Sequence, residues 1–340
     1  MENDNIAQTM VNYNFTLDTY NLTNSTVVVY EYPPPWKIFI IYLASVGAAL
    51  ANITVFYTVP KLKGKIKAST RYAMLNLAVT DSLLGFGSLI LRSTYLANPE
   101  FFMNYFCKID GIFSTFLVSQ SIVGLAFLNL DKFLNLLLPL RYKVWMTGTK
   151  ALIVIASMWL FYIAVFALST ILNLLRPEML QGAFICLPNY TEDVLMTTLA
   201  IIMQQVFPST VCLLSLIGMY SIIRRRRSQL GAGRSTARAN ERTLVFTIFL
   251  LTCTYFLMCT PFFIFVIFWG IVTGAPLSPT ASFLSIWIGG ANSFVNPLIY
   301  IPSLRSYRNH LKQLVCPGRN MRKDSMKTLE LSYNSSESRL

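Results

Sequence analysis

The chain has 340 residues, 54% of them hydrophobic and only 13% charged. A soluble protein covers its surface with about 25% Asp, Glu, Lys and Arg, so half that share excludes an ordinary water-facing protein. Six cysteines in this length exclude a disulfide-built miniprotein, and 24 Phe with 17 Tyr exclude a disordered or fibrous chain; a polytopic membrane protein remains.

Residues 1–35 are polar and lack the apolar core of a signal peptide. Seven apolar runs follow, at 36–59, 72–91, 103–130, 151–172, 194–223, 244–271 and 280–301. Each approaches or exceeds the ~20 residues that a helix needs to cross a bilayer. The first reads as an uncleaved signal anchor. Asp81 and Asp110 interrupt the second and third, so hydropathy alone also admits six or eight spans. After the last run, Leu304, Tyr307, Leu311 and Leu314 repeat at helical spacing opposite Arg305, Arg308 and Lys312. This predicts an amphipathic membrane-surface helix over 302–316, with a polar, Ser-rich, disordered tail over 317–340. The expected fold is an all-α membrane protein, a bundle of seven transmembrane helices over 36–301 with a short amphipathic cytoplasmic helix behind it.

Charge sets the orientation. Of 28 Lys and Arg, 24 lie within 61–71, 132–150, 224–242 and beyond 304, whereas Lys37, Arg92, Lys108 and Arg176 lie on the other side. Short loops rich in Lys and Arg stay in the cytoplasm, which places the N-terminus outside and the C-terminus inside and requires an odd number of spans. The net charge of +13 is therefore a topology signal and matches anionic inner-leaflet lipid rather than nucleic acid. The glycosylation sequons at Asn14, Asn21, Asn24 and Asn189 fall outside; those at Asn52 and Asn334, in a span and in the tail, are expected to stay unmodified.

A charged Asp at a helix centre costs about 2.5–3.5 kcal/mol, so polar groups in membrane spans mark sites. Asn52, Asp81, Ser121, Asn292, Ser293 and Asn296 are such groups. Asn292 and Asn296 share a helical face, with Ser293 beside them. Asp81, Ser121 and that face offer oxygens for a small cation, sodium being the natural occupant; the same groups would also serve as a hydrogen-bonded network joining helices. Pro208, Pro261 and Pro297 each remove a backbone hydrogen bond and kink a span.

The chain resembles a rhodopsin-like (class A) G-protein-coupled receptor over about 36–316. The residues that carry the likeness are Asn52; Leu77-Ala78-Val79-Thr80-Asp81; Cys107 at the head of span three; Trp159; Pro208 and Pro261; and Asn296-Pro297-Leu298-Ile299-Tyr300. The resemblance implies that Asp81, Ser121, Asn292, Ser293 and Asn296 belong to a sodium pocket. It also implies that Cys107 is bridged to Cys186, the other cysteine on the oxidising side. Asp131-Lys132-Phe133 stands where the family has Asp-Arg-Tyr. Lys132 is then expected to pair with Glu241 and, with Pro297 and Tyr300, to form the switch that controls a G protein. The alternative is a solvated charge pair at a helix end.

Departures from the family pattern are Lys132, Phe133, Cys259 in place of a Trp, Tyr255 in place of a Phe, and Leu216 in place of the span-five aromatic, with Tyr220 one turn on. They favour weaker G-protein coupling, so a receptor-like binder that couples weakly or not at all is the alternative function, with a transporter behind it. No internal repeat supports the transporter. An enzyme is not expected, because the single His, His310, lies in the amphipathic helix and no Cys/His cluster accompanies it.

The ligand pocket is expected from Asp110, Ser114, Val118, Gln204, Phe262, Phe263, Val266, Ile286 and Gly290. It suits a small hydrophobic or amphiphilic molecule. Asp110 offers itself to a cation, or pairs with Lys108 or Arg92. The amine receptors' Asp position carries Ser114 here, and the retinal Lys position carries Gly290, so amines and retinal are disfavoured and no covalent cofactor is expected. Pro139-Leu140-Arg141-Tyr142-Lys143 and 146–151 are similar to a loop of adenosine and odorant receptors, yet Val266 and Gly289-Gly290 replace the adenosine-binding residues. Cys316 is placed for palmitoylation. Phosphorylation of the tail would recruit an arrestin, and Ser338-Arg339-Leu340 resembles a PDZ ligand.

Overall fold

The computed structural model describes residues 20–22, 25–27, 32–180, 182–188, 194–229, 236–264 and 277–315. Strands β1 (Tyr20–Leu22) and β2 (Ser25–Val27) form an antiparallel pair. Helix α1 (Pro35–Thr58) opens on Pro35, whose missing N–H costs nothing in a first turn, and runs into the 3₁₀ turn Val59–Leu62. Helix α2 (Ala68–Ala97) ends at Asn98, whose side chain accepts from Phe101 N at 2.9 Å and so starts the helical turn Pro99–Phe101. A π-helical turn, Phe102–Phe106, leads into α3 (Cys107–Leu137), and a short helix, Pro139–Trp145, follows. Thr147 caps α4 (Gly148–Ile171). Strands β3 (Pro177–Leu180) and β4 (Ile185–Pro188) make an antiparallel hairpin. Helix α5 consists of Val194–Ile201 and Phe207–Gln229, joined by the π-helical turn Ile202–Val206. Helices α6 (Thr236–Pro261), α7 (Pro279–Ser303) and α8 (Arg305–Val315) complete the chain.

Six helices among the described residues are long and apolar enough to cross a membrane: Pro35–Leu62, Ala68–Ala97, Pro99–Leu137, Gly148–Ile171, Thr198–Arg226 and Arg242–Ile264. The 25-residue α7 is long enough, but Gly289, Gly290, Asn292, Ser293 and Asn296 dilute its apolar character. Helices α2, α3 and α6 reach beyond the apolar runs read from sequence, because helix ends continue into polar surroundings where hydropathy carries no signal. Position 103, the expected start of the third span, falls in the π-helical turn.

Helix α1 packs on α2 and α7, α2 on α3 and α4, α3 on α5, and α6 on α3, α5 and α7, so the chain closes into a ring. Gly85 allows the closest approach of α1 and α2: a Cβ there would stand 2.6 Å from Ala49 N and 2.7 Å from Ser45 O. The buried apolar residues form two cores. The larger joins Val55, Leu77, Leu125, Ile248, Leu251 and Tyr300; the smaller joins Ile41, Leu91, Tyr95, Phe102, Phe184, Phe283 and Trp287 around the cysteine pair. Tyr307 of α8 is fully buried, its ring 5.6 Å from Tyr300 and its hydroxyl 2.7 Å from Thr54 Oγ1. The apolar stripe of α8 is thus spent partly on the bundle: Leu304 and Tyr307 are buried, whereas Leu314 remains exposed.

Candidate functional site

At the centre of the bundle, Asp81 is fully buried and accepts hydrogen bonds from Ser121 Oγ at 3.0 Å and Asn296 Nδ2 at 2.9 Å. Asn52 Nδ2 donates to Ala48 O at 2.9 Å and to Ser293 O at 3.0 Å, tying α1 to α7. The Asn292 Oδ1 atom is buried with no hydrogen-bond partner among the described residues. No ion pair among those residues involves Asp81. A carboxylate served only by neutral donors, with an unused carbonyl oxygen on α7, fits a small hard cation: Asp81, Ser121 and Asn292 offer oxygen ligands and the carboxylate charge is uncompensated.

A cavity opens directly against this network. Ser121, Asn292 and Ser293 line it, and so do Ser114, Val118, Gln204, Phe262, Phe263, Ile286 and Gly290 of the expected pocket, with Gln205, Tyr255 and Cys259 added and Ile185 and Leu187 of β4 along one side. Val266 lies outside the described residues. Gln204 and Gln205 both reach inward from the π-helical turn of α5, a widened turn of the kind found at functional positions. Gln204 Oε1 accepts from Ser119 Oγ at 3.1 Å; Gln205 Oε1 accepts from the Tyr255 hydroxyl at 2.7 Å. A further hydrogen bond of 3.3 Å joins that hydroxyl to Ser209 Oγ. The Tyr that replaces the family's Phe thereby links α6 to α5.

Asp110 departs from expectation. It does not line the cavity but is fully buried in an ion pair with Arg92. Its Oδ2 accepts from Cys186 N at 2.8 Å and its Oδ1 from Ser114 Oγ at 3.3 Å. With Arg92 and an N–H already satisfying the carboxylate, it is not a receptor for a ligand cation, and Arg92 rather than Lys108 is its partner. Cys107 and Cys186 form a disulfide with Cα atoms 5.4 Å apart.

At the opposite end, Asp131 accepts from Thr70 Oγ1 at 2.7 Å and from the Tyr142 hydroxyl at 2.7 Å. Burial, reinforced by the Asp131 charge, pushes the Tyr142 phenol far up, so it stays protonated and donating throughout the physiological range. Lys132 is only 4% exposed, so this cation is itself buried rather than solvated. Glu241 lies on α6, its side chain outside the described residues. Phe133 packs so closely against α5 that a Cβ on Gly218 would fall 2.3 Å from its ring. Pro297 and Tyr300 are buried in α7, and the Tyr300 hydroxyl has no hydrogen-bond partner among the described residues. Asn129 Nδ2 donates to Thr252 Oγ1 at 3.0 Å, joining α3 to α6, and Trp159 Nε1 donates to Asn76 Oδ1 at 2.8 Å. Asn129, Thr252, Gln205 and Asn76 were not singled out from sequence, although the signal that marked Asp81, a polar residue inside an apolar run, marks them equally. Asn14, Asn24, Asn189, Cys316 and 338–340 lie outside the described residues, as does the side chain of Asn21.

The family model of the seven-transmembrane receptors, rhodopsin family, matches residues 51–300. Similar curated proteins include the human (Homo sapiens) histamine H2 receptor, 23% identical over 82% of this chain and 80% of its own length. The mouse (Mus musculus) trace amine-associated receptor 1 is 26% identical over 84% and 90%, and the rat (Rattus norvegicus) trace amine-associated receptor 4 is 25% identical over 86% and 89%. These relatives are receptors, not enzymes, and they leave the transporter alternative without support. The buried Asp81–Asn296 bond between α2 and α7, the Cys107–Cys186 bridge and a family match across most of the helical region together show that this chain belongs to the rhodopsin family of seven-transmembrane receptors.

Proposed function

We propose that the chain is a plasma-membrane receptor that passes an extracellular small-molecule signal to a heterotrimeric G protein. In this reading α7 is the seventh span and α8 lies at the inner leaflet. The N-terminal tail is extracellular and carries glycans at Asn14, Asn21 and Asn24, with Asn189 modified in the outer loop before α5. Cys316 is lipidated, and the cytoplasmic tail serves an arrestin and a PDZ domain at its Ser338-Arg339-Leu340 end. The single observation that carries the reading is the shared wall of cavity and buried network: Ser121 lines the cavity and donates to Asp81, which accepts from Asn296 beside Pro297. A ligand that displaces Ser121 or Asn292 alters the hydrogen bonding of Asp81, and through Asn296 biases the kinked α7 between two arrangements. Asp81 and Ser121, with Asn292 Oδ1, would hold a sodium ion, whose contribution is a compensating charge beside the buried carboxylate. The names of the relatives point to amines, whereas Ser114 stands at the amine receptors' acid position and Asp110 is consumed by Arg92.

Nucleotide exchange on a panel of heterotrimeric G proteins tests the coupling. Chain in nanodiscs should accelerate exchange by at least one of them above protein-free discs. Glu241→Ala should raise the basal rate, and Lys132→Arg, which restores a bidentate guanidinium, should raise the ligand-stimulated rate. No acceleration by the wild type or by either variant would refute G-protein signalling. It would support the second reading, a ligand binder that does not couple, which Lys132 favours.

A further inference from the structure

Three consecutive carbonyls between β3 and β4, those of 182–184, and then Cys186 of β4 are each held by a different helix. The Lys37 ammonium of α1 donates to Gly182 O at 3.0 Å. Trp287 Nε1 of α7 donates to Ala183 O at 2.9 Å, and Arg92 of α2 donates to Phe184 O. Asp110 of α3 accepts from Cys186 N, and Cys107 of α3 is bridged to that same residue. Lys37 also stands 5.1 Å and 5.2 Å from the ring centres of Phe184 and Phe283. Ala183, Phe184 and Cys186 are buried. The backbone is bent to fit: Gly182 has φ +75° with no room for a Cβ against Pro279, and Phe184 is left-handed at φ 57°. A non-glycine residue holds such a conformation only where its surroundings fix it. Ile185 and Leu187, the next residues along, line the cavity.

Beneath this knot, no Asp, Glu, Lys, Arg or His lines the cavity among the described residues. Its side-chain polar groups are hydroxyls, carboxamides, one thiol and the Trp287 indole, and three charged side chains of the knot, Lys37, Arg92 and Asp110, are turned to the loop. An organic cation or anion entering would shed its water with no charged side chain among the described lining residues to meet it, the Asp81 carboxylate lying behind Ser121. We infer that the cavity receives an uncharged, mostly apolar molecule bearing one or more hydrogen-bonding groups, and that the four-helix knot above it bars charged organic solutes coming from water. This deepens the receptor reading by naming the ligand class, and cavity access is measured without any signalling step.

Cys259 lines the cavity and serves as the reporter. In nanodiscs, with Cys212, Cys253 and Cys316 replaced by Ser, propyl methanethiosulfonate and its trimethylammonium-ethyl analogue are compared. Mass spectrometry follows modification of Cys259, each rate being normalised to that of the unfolded chain. Gly290→Cys on a Cys259→Ser background is a second reporter, at a position where a Cβ meets no heavy atom within 4 Å. The uncharged reagent should label both reporters at least about tenfold faster than the charged one, a ratio worth about 1.4 kcal/mol. Loosening the knot with Lys37→Met and Trp287→Phe together should raise the charged reagent's rate by a similar factor. The rate of labelling of Cys259 by the propyl reagent should be unchanged on addition of 2-phenylethylamine, a cation at neutral pH. Equal rates for the two reagents, labelling of neither reporter, protection by the amine, or an unchanged charged-reagent rate in the loosened variant would each overturn the inference. Failure of nucleotide exchange with these rates intact would sink the receptor reading alone.

Discussion

At the disulfide end, four helices converge on one loop through a covalent bridge, a buried ion pair and a buried ammonium. At the other end, the bonds around Asp131 and Asn129 come from neutral donors, Thr70 and Tyr142 to Asp131 and Asn129 to Thr252, while the charged donors Lys67 and Arg226 reach the neutral oxygens Asn135 Oδ1 and Leu136 O. The first kind of bond is costly to open, because a buried charge is left bare. The second leaves no charge bare when a single bond opens, each being worth about 1 kcal/mol net between neutral groups and up to about 3 kcal/mol where the carboxylate accepts. A receptor that changes shape at one end needs a fixed end against which to work, and the chemistry divides accordingly.

Arg92→Ala breaks this comparison most severely. It leaves Asp110 buried and uncompensated, a loss of about 3–5 kcal/mol. Arg92→Met with Asp110→Leu should cost clearly less than the sum of the single changes in a double-mutant cycle of thermal unfolding. Additive losses would mean that the pair is not what secures the loop. Next comes Cys186→Ser, with a loss of about 2–5 kcal/mol that is expected to appear as lost surface expression. Normal expression of that variant would show the noncovalent knot to be sufficient.

The central network is expected to lie between the two ends in strength. At sodium ten times its dissociation constant, the ion should stabilise the folded chain by about 1.4 kcal/mol over choline, and Asp81→Asn should remove the difference. Equal melting temperatures in the two salts for the wild type would leave Asp81 a helix-joining residue only.

The parts of this arrangement visible in sequence are those that the membrane imposes. A lipid-facing helix must be apolar for its whole crossing, so the runs at 36–59 and 151–172 nearly coincide with α1 and α4. A buried polar residue must have a partner, so Asp81, Ser121 and Asn296 could be grouped before any coordinates, and the structure brings them together. The knot was not legible, because Lys37, Arg92 and Trp287 bind loop carbonyls, and a backbone oxygen has no signature in a sequence. Arg92 and Lys108 were equal candidates for Asp110, since helix length alone does not say which cation faces inward. The burial of Lys132 was hidden for the same reason: a cation at the end of an apolar run reads as solvated whichever way it turns.

Tyr142→Phe should have the smallest effect and sharpens the comparison most finely. It removes one of the two hydroxyl donors to Asp131 while Thr70 keeps the other, so the expected loss is about 1 kcal/mol, with a rise in basal nucleotide exchange of less than about tenfold. Thr70→Val should behave alike. Together the two changes strip a buried carboxylate of both donors, and the combined loss should exceed their sum, because the second removal leaves the charge bare while the first does not. If the combination is merely additive, Asp131 has found other partners and this end of the bundle is as firmly held as the first. If the excess appears in exchange rate as well as in stability, the Asp131 cluster is a restraint on the switch itself, released one hydrogen bond at a time.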